Sequence, residues 1–189
     1  MIPKIVAAGI CGLGFFVMAG CGGNDLGPVQ DLGAITVQAP VAWKSETPSS
    51  GMRKAQYTLE KAKSDKEDAT LVVYYFGQGQ GGSVEDNLAR WYGQFEQPDG
   101  SSSKDKAVVS KRTVAGMPVT FADVTGTYSP GSMNPMAPHG PEPKPEYRML
   151  AAIVETPQGA YFFKLTGPMH TVERWEQSFD RFVDRTQKK

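Results

Sequence analysis

The chain has 189 residues, 40% hydrophobic and 21% charged, a composition that fits one globular domain and excludes wholesale disorder. Lys+Arg and Asp+Glu number 20 each, so no net field recruits nucleic acid or an acidic partner. Two Cys and two His exclude a disulfide scaffold, a Cys-rich zinc site and an iron–sulfur cluster.

The N-terminus reads as an export address. Lys4 supplies a positive n-region, and Ile5 to Met18 is an uncharged apolar stretch of 14 residues. That is shorter than the roughly 20 residues a membrane-spanning helix needs and suits the h-region of a signal peptide. Val17-Met18-Ala19-Gly20-Cys21 follows, and this run resembles a bacterial lipoprotein signal, the lipobox. The resemblance implies cleavage before Cys21, a diacylglycerol on its thiol and an acyl chain such as palmitate on the new amine. The domains expected are therefore a signal peptide over 1–20, an acylated Cys and flexible tether over 21–33, and one folded domain over 34–189. Gly22 rather than Asp after the Cys resembles the enteric signal for the outer membrane, facing the periplasm. With Cys11 removed and Cys21 acylated, no thiol remains for a disulfide, a metal or nucleophilic attack.

The folded part reads as short strands broken by turn signals. Ala34–Val37 and Val41–Trp43 flank Pro40, and 52–59 alternates as a strand. Lys61–Asp68 is a charged turn. Leu71–Phe76, LVVYYF, is apolar without alternation, which predicts cover on both faces. Val108–Val114 and Met117–Tyr128 form a hairpin around Gly116. Tyr147–Glu155 and Tyr161–Thr166 form another around Pro157-Gln158-Gly159. Two stretches switch to a period of 3.6. Over Ser83–Gln97 the stripe is Val84, Leu88, Trp91, Tyr92 and Phe95, with Ser83 as N-cap and Asp86 completing a near capping box. Over Thr171–Gln187 it is Val172, Trp175, Phe179, Phe182 and Val183, with Thr171 as the expected cap.

These elements predict an α+β fold: an antiparallel sheet of about six to seven strands packed with two helices. The segments APVAW, MRKAQYTL, ATLVVYYFGQGQGGSVEDNLARWYGQF and WEQSFDRFVDR, in this order, resemble the PsbP-like sandwich. That fold is named after the extrinsic photosystem II subunit and is shared by small exported bacterial lipoproteins. It hosts unrelated functions and implies no photosynthetic partner here.

Several motifs hold candidate chemistry. Gly77 to Gly82, GQGQGG, matches G-x-G-x-x-G between a strand and a helix. However, Glu85 and Asp86 already occupy the positive helix end, and no βαβ unit follows. The segment therefore reads as a glycine loop before a capped helix, with no nucleotide. The loop over 129–146 holds six of the 14 prolines and is expected to be exposed and partly polyproline. Met133, Met136 and His139 recur within it at spacing three and share one polyproline face, a soft donor set suited to Cu(I). Met169-His170 could join them. The other reading is Met and Pro tolerated in a loop. Catalysis finds little: neither His has an acid and Ser at a recognisable spacing, and there is no G-x-S-x-G. The aromatic runs Tyr74-Tyr75-Phe76, Trp91-Tyr92 and Tyr161-Phe162-Phe163 could line a sugar or lipid site, though consecutive aromatics on a strand more simply mean a sheet packed on both faces. Lys164 follows three aromatics and shares a strand face with Phe162 and Thr166. It either snorkels past a helix edge or marks a ligand or partner cleft.

The function expected from sequence is a lipid-anchored cell-envelope protein acting by binding, without a cofactor beyond its lipid. Its partner is another envelope protein or a small ligand, with no nucleic acid. The alternative is a periplasmic Cu(I)-binding protein, and an enzyme of unknown class comes third.

Overall fold

A computed structural model describes residues 25–130 and 142–189. Cys21, Met133, Met136 and His139 lie outside the described residues, as does the lipobox.

The described residues build two antiparallel sheets and three helices. The small sheet joins β1 (Leu26–Asp31), β2 (Ile35–Pro40) and β11 (Gln187–Lys188). The large sheet takes β3 (Lys44–Glu46), β4 (Arg53–Leu59), β5 (Ala69–Tyr75), β6 (Phe95–Glu96) and β7 (Val108–Val114). It is completed by β8 (Met117–Tyr128), β9 (Lys144–Thr156) and β10 (Gly159–Pro168). Its order is β3-β4-β5-β10-β9-β8-β6, with β7 also paired to β8. The helices are α1 (Val84–Tyr92), the single turn α2 (Ser103–Lys106) and α3 (Met169–Asp184). Among the described residues no helix is long and apolar enough to cross a membrane.

Alternation along the strands assigns the two faces. On β10, Tyr161, Phe163 and Leu165 face α3 and the small sheet. Phe162 faces the opposite layer, which holds Trp91, Tyr92 and Phe95. Both faces are thus covered, as the unalternated LVVYYF segment requires: Leu71, Val72 and Val73 are all buried. On the α3 side, Phe182 meets Trp43 at 5.0 Å, Phe163 at 5.7 Å and Tyr57 at 5.9 Å between ring centroids, all tilted or edge-on. These offset geometries are the favourable ones for aromatic pairs.

The structure differs from the sequence expectation in several places, most of them set by long-range pairing. Val41–Trp43, expected as a strand, is a turn, and the strand begins at Lys44, where β3 pairs with β4; the single turn α2 adds a helix to the two expected. Among the described residues eleven strands form rather than about seven, because short segments pair at sheet edges. Residues 26–31, expected as tether, pair with β2 from Asp31 opposite Thr36 to Leu26 opposite Pro40, so the folded domain begins before residue 34. The Pro-rich loop ends early, since Lys144–Glu146 open β9. The first long helix stops at Tyr92, where Gly93 caps it, and Phe95 pairs with Tyr128 instead of continuing the stripe. Finally, Thr171 does not cap α3, which starts at Met169. The cap comes from the charged turn. The Thr171 N–H and hydroxyl both donate to Asp65 Oδ2, at 2.7 and 2.6 Å. The Ala62 N–H donates to the Thr171 hydroxyl at 3.0 Å, and the Trp175 indole donates to the Glu60 carbonyl at 2.8 Å.

Candidate functional site

The glycine loop leads into a capped helix. The Asp86 N–H donates to Ser83 Oγ at 3.0 Å, and the Ser83 N–H to Asp86 Oδ2 at 3.4 Å. The glycines also serve packing. A Cβ at Gly81, where φ is +98°, would lie 2.9 Å from the Phe162 ring and 3.1 Å from that of Phe76. Only glycine lets the loop approach the aromatic layer this closely in that backbone conformation.

Against this layer lies a cleft of about 420 Å³, a size typical of small-molecule sites. Its walls are Tyr74, Phe76, Trp91, Tyr128 and Phe162. The Tyr74 and Phe76 rings are nearly parallel, at 3° and 6.1 Å between centroids, and make one flat side. Phe162 sits at 60° to Phe76 and at 87° to Trp91.

Lys164 lies in this cleft, on the central strand β10, opposite Val72 of β5 and Ala151 of β9. Strand alternation places it on the face of Phe162. Its ammonium donates to the Gln94 side-chain oxygen and stands 5.5 Å from the centre of the Tyr128 ring. Gln94 reaches it because α1 ends early: the Ser129 N–H donates to the Gln94 carbonyl at 2.8 Å, holding that turn against β8. Burial, with a smaller contribution from the nearby Arg90 charge, pushes the Lys164 amine down to about 8. Both causes act against the charged form.

Arg53 and Arg90 line the same cleft. Arg53 donates to Gln56 Oε1 at 2.8 Å, and its guanidinium carbon is 5.5 Å from the centre of the Tyr74 ring. Arg90 donates to Asn87 Oδ1. Asn87 is itself buried and donates to the Gly81 and Ser83 carbonyls at 2.7 and 2.8 Å. Each of the three cations is therefore held by a neutral carboxamide. No Asp or Glu lines the cleft. Residues 1–24 and 131–141 contain none either, so the undescribed segments bring no carboxylate side chain to it.

Of the described residues weighed from sequence as candidates, Lys164 lies in this cleft together with Tyr74, Phe76, Trp91 and Phe162 of the aromatic runs. His170, at the start of α3, is exposed and sits 3.5 Å from Glu173. Arg53, Arg90, Asn87 and Gln94 were not singled out by the sequence. Asn87 left a legible signal: it interrupts the apolar face of α1 between Val84 and Trp91. Arg53 left none, because it enters the cleft from a strand distant in sequence.

No protein-family model matches the chain, and no curated protein sequence matches it. Among solved structures, it is similar to cyanobacterial PsbP (CyanoP) from Synechocystis sp. PCC 6803. The match covers 91% of this chain and 99% of that one, with a TM-score of 0.50 and 12% identity. The fold is PsbP-like. The chain is also similar to PA94 from Pseudomonas aeruginosa, a protein of unknown function, over 85% of this chain and 95% of that one, with a TM-score of 0.44 and 11% identity. At such identities the PsbP-like likeness speaks for architecture, and function has to be argued from the site.

Proposed function

We propose that this PsbP-like protein is a lipid-anchored binding module of a bacterial cell envelope, exported by the signal over 1–20, held by acylated Cys21 and receiving its ligand in the Lys164 cleft. The observation that carries the binding reading is the aromatic-walled cleft whose three cations are held by carboxamides, with no carboxylate among its lining residues. Burying an unpaired ammonium is unfavourable, so a fold that keeps one on a central strand gains when a ligand completes it. The anchor reading rests on the n-region, the apolar stretch and the lipobox ending at Cys21. Because β1 starts at Leu26, the link from Cys21 to the folded domain is only a few residues. At about 3.3–3.6 Å per residue it would hold the domain within roughly 20 Å of the lipid surface.

Two measurements test the two parts. Intact mass of protein taken from its native membranes should show Cys21 as the acylated N-terminus, and Cys21→Ser should move the protein from the detergent phase to the aqueous phase. An unmodified Cys21 or a retained leader overturns the anchor. For the cleft, an NMR screen of small organic compounds should give hits that shift the Trp91 indole N–H and the β10 amides around Lys164. A screen in which no compound shifts them overturns the cleft as a binding site.

A further inference from the structure

We propose that the ligand of the Lys164 cleft is a small aromatic carboxylate, its acid group received by Lys164 and Arg90 and its ring laid along the Tyr74–Phe76 wall. The inference rests on the binding reading above and adds the ligand class.

Three observations lead to it. The first is charge. Lys164, Arg53 and Arg90 share one cleft without a carboxylate among its lining residues, and among the described residues none of the three forms an ion pair. Elsewhere among the described residues some cations find acids, as Arg148 bonds Asp123 at 2.7 Å and Glu176 at 2.9 Å and Arg112 reaches Asp184 at 3.0 Å, while others without an ion pair, such as Lys54, Lys111 and Lys188, are exposed to water. Lys164 differs from these in being half-buried among aromatic rings, with no carboxylate lining its cleft.

The second is preorganisation. A carboxamide oxygen fixes the direction of a cation but leaves its charge in place. Gln94 occupies one of the three donors of Lys164, and Asn87 is fixed by two backbone carbonyls before it orients Arg90. Donors therefore remain for an anion, which would form charge-assisted bonds at no cost of rearrangement. A carboxylate, with two acceptor oxygens, can take an ammonium and a guanidinium together.

The third is shape. The Tyr74 and Phe76 rings form a flat side 3° from parallel, and Phe162 and Trp91 close the cleft edge-on. A planar apolar body fits between such surfaces, with offset or edge contacts worth about 0.5–1.5 kcal/mol beyond area. The volume of about 420 Å³ suits a small molecule rather than a folded partner. A free inorganic anion would satisfy the charges and leave the aromatic walls unused.

The test is calorimetric titration of the full chain with 2-naphthoate, 2-naphthamide, 2-naphthylmethylammonium and inorganic phosphate, with the Trp91 indole N–H as site reporter. Naphthoate should bind about tenfold or more tighter than naphthamide, the share expected of a charge-assisted bond, and the ammonium and phosphate should bind more weakly still. Lys164→Met and Arg90→Gln should each erase most of the preference for naphthoate over naphthamide. Both should keep naphthamide binding, which shows that the cleft still folds. Equal binding of naphthoate and naphthamide, or tighter binding of the ammonium, overturns the ligand class while the cleft stands as a binding site. Phosphate binding as tight as that of naphthoate overturns the aromatic part. If none of the four shifts Trp91, the class falls, and the compound screen decides separately whether the cleft binds anything.

Discussion

Lys164→Met removes a charge from the middle of a sheet and replaces it with an apolar chain of similar length. In the folded protein the amine is pushed down from its ordinary value of 10.5 to about 8, which corresponds to about 3 kcal/mol of cost for holding the proton there. At about pH 7 the lysine is charged in both the folded and unfolded chain, so the folded state bears that cost. Loss of the Gln94 hydrogen bond and of the contact with the Tyr128 ring offsets part of the gain, by about 1 kcal/mol. Lys164→Met should therefore be more stable than the parent by about 1–3 kcal/mol near pH 7. The sign changes with pH in a defined window. Between about 8 and 10.5 the unfolded chain still binds the proton and the folded chain has released it. The parent then gains stability relative to the variant as pH rises. Urea unfolding of both proteins across that window measures the gap directly. Parallel pH curves, or a variant less stable than the parent near pH 7, would refute the argument that Lys164 is a half-buried cation without a partner carboxylate.

Two further substitutions probe the frame that holds the cleft. Phe182→Ala empties the centre of the aromatic cluster formed with Trp43, Tyr57 and Phe163; it should cost about 3–5 kcal/mol in urea unfolding, and a loss below about 1 kcal/mol would mean that α3 is not seated there. Asp65→Ala removes the acceptor of two bonds from Thr171 and should cost about 1–2 kcal/mol. Combined with Thr171→Val, the losses should fall short of additive, because both changes break the same contact.

The sequence by itself determined the order of the main elements. Local pattern suffices where neighbours along the chain do the work: the β7–β8 hairpin has the bounds predicted from its strand-like runs and the turn signal at Gly116, and the Ser83–Asp86 capping box forms as its spacing required. The apolar stripe of α3 was legible for the same reason, since Val172, Trp175, Phe179, Phe182 and Val183 repeat at helical spacing and all are buried. Lys164 also stood out, as a charge following three aromatics on a strand.

Only the tertiary structure decided what surrounds that lysine. Arg53 comes from β4, Arg90 and Gln94 from α1 and the turn after it, and Tyr128 from the end of β8. No local period relates these positions. They converge because β10 pairs with β5 on one side and β9 on the other, and because pairing of Phe95 with Tyr128 ends α1 where Gln94 can reach the ammonium. The same physics explains the missed strand β1 and the cap supplied by Asp65. Each draws its stability from residues far along the chain, a contribution that local propensity and periodicity do not register.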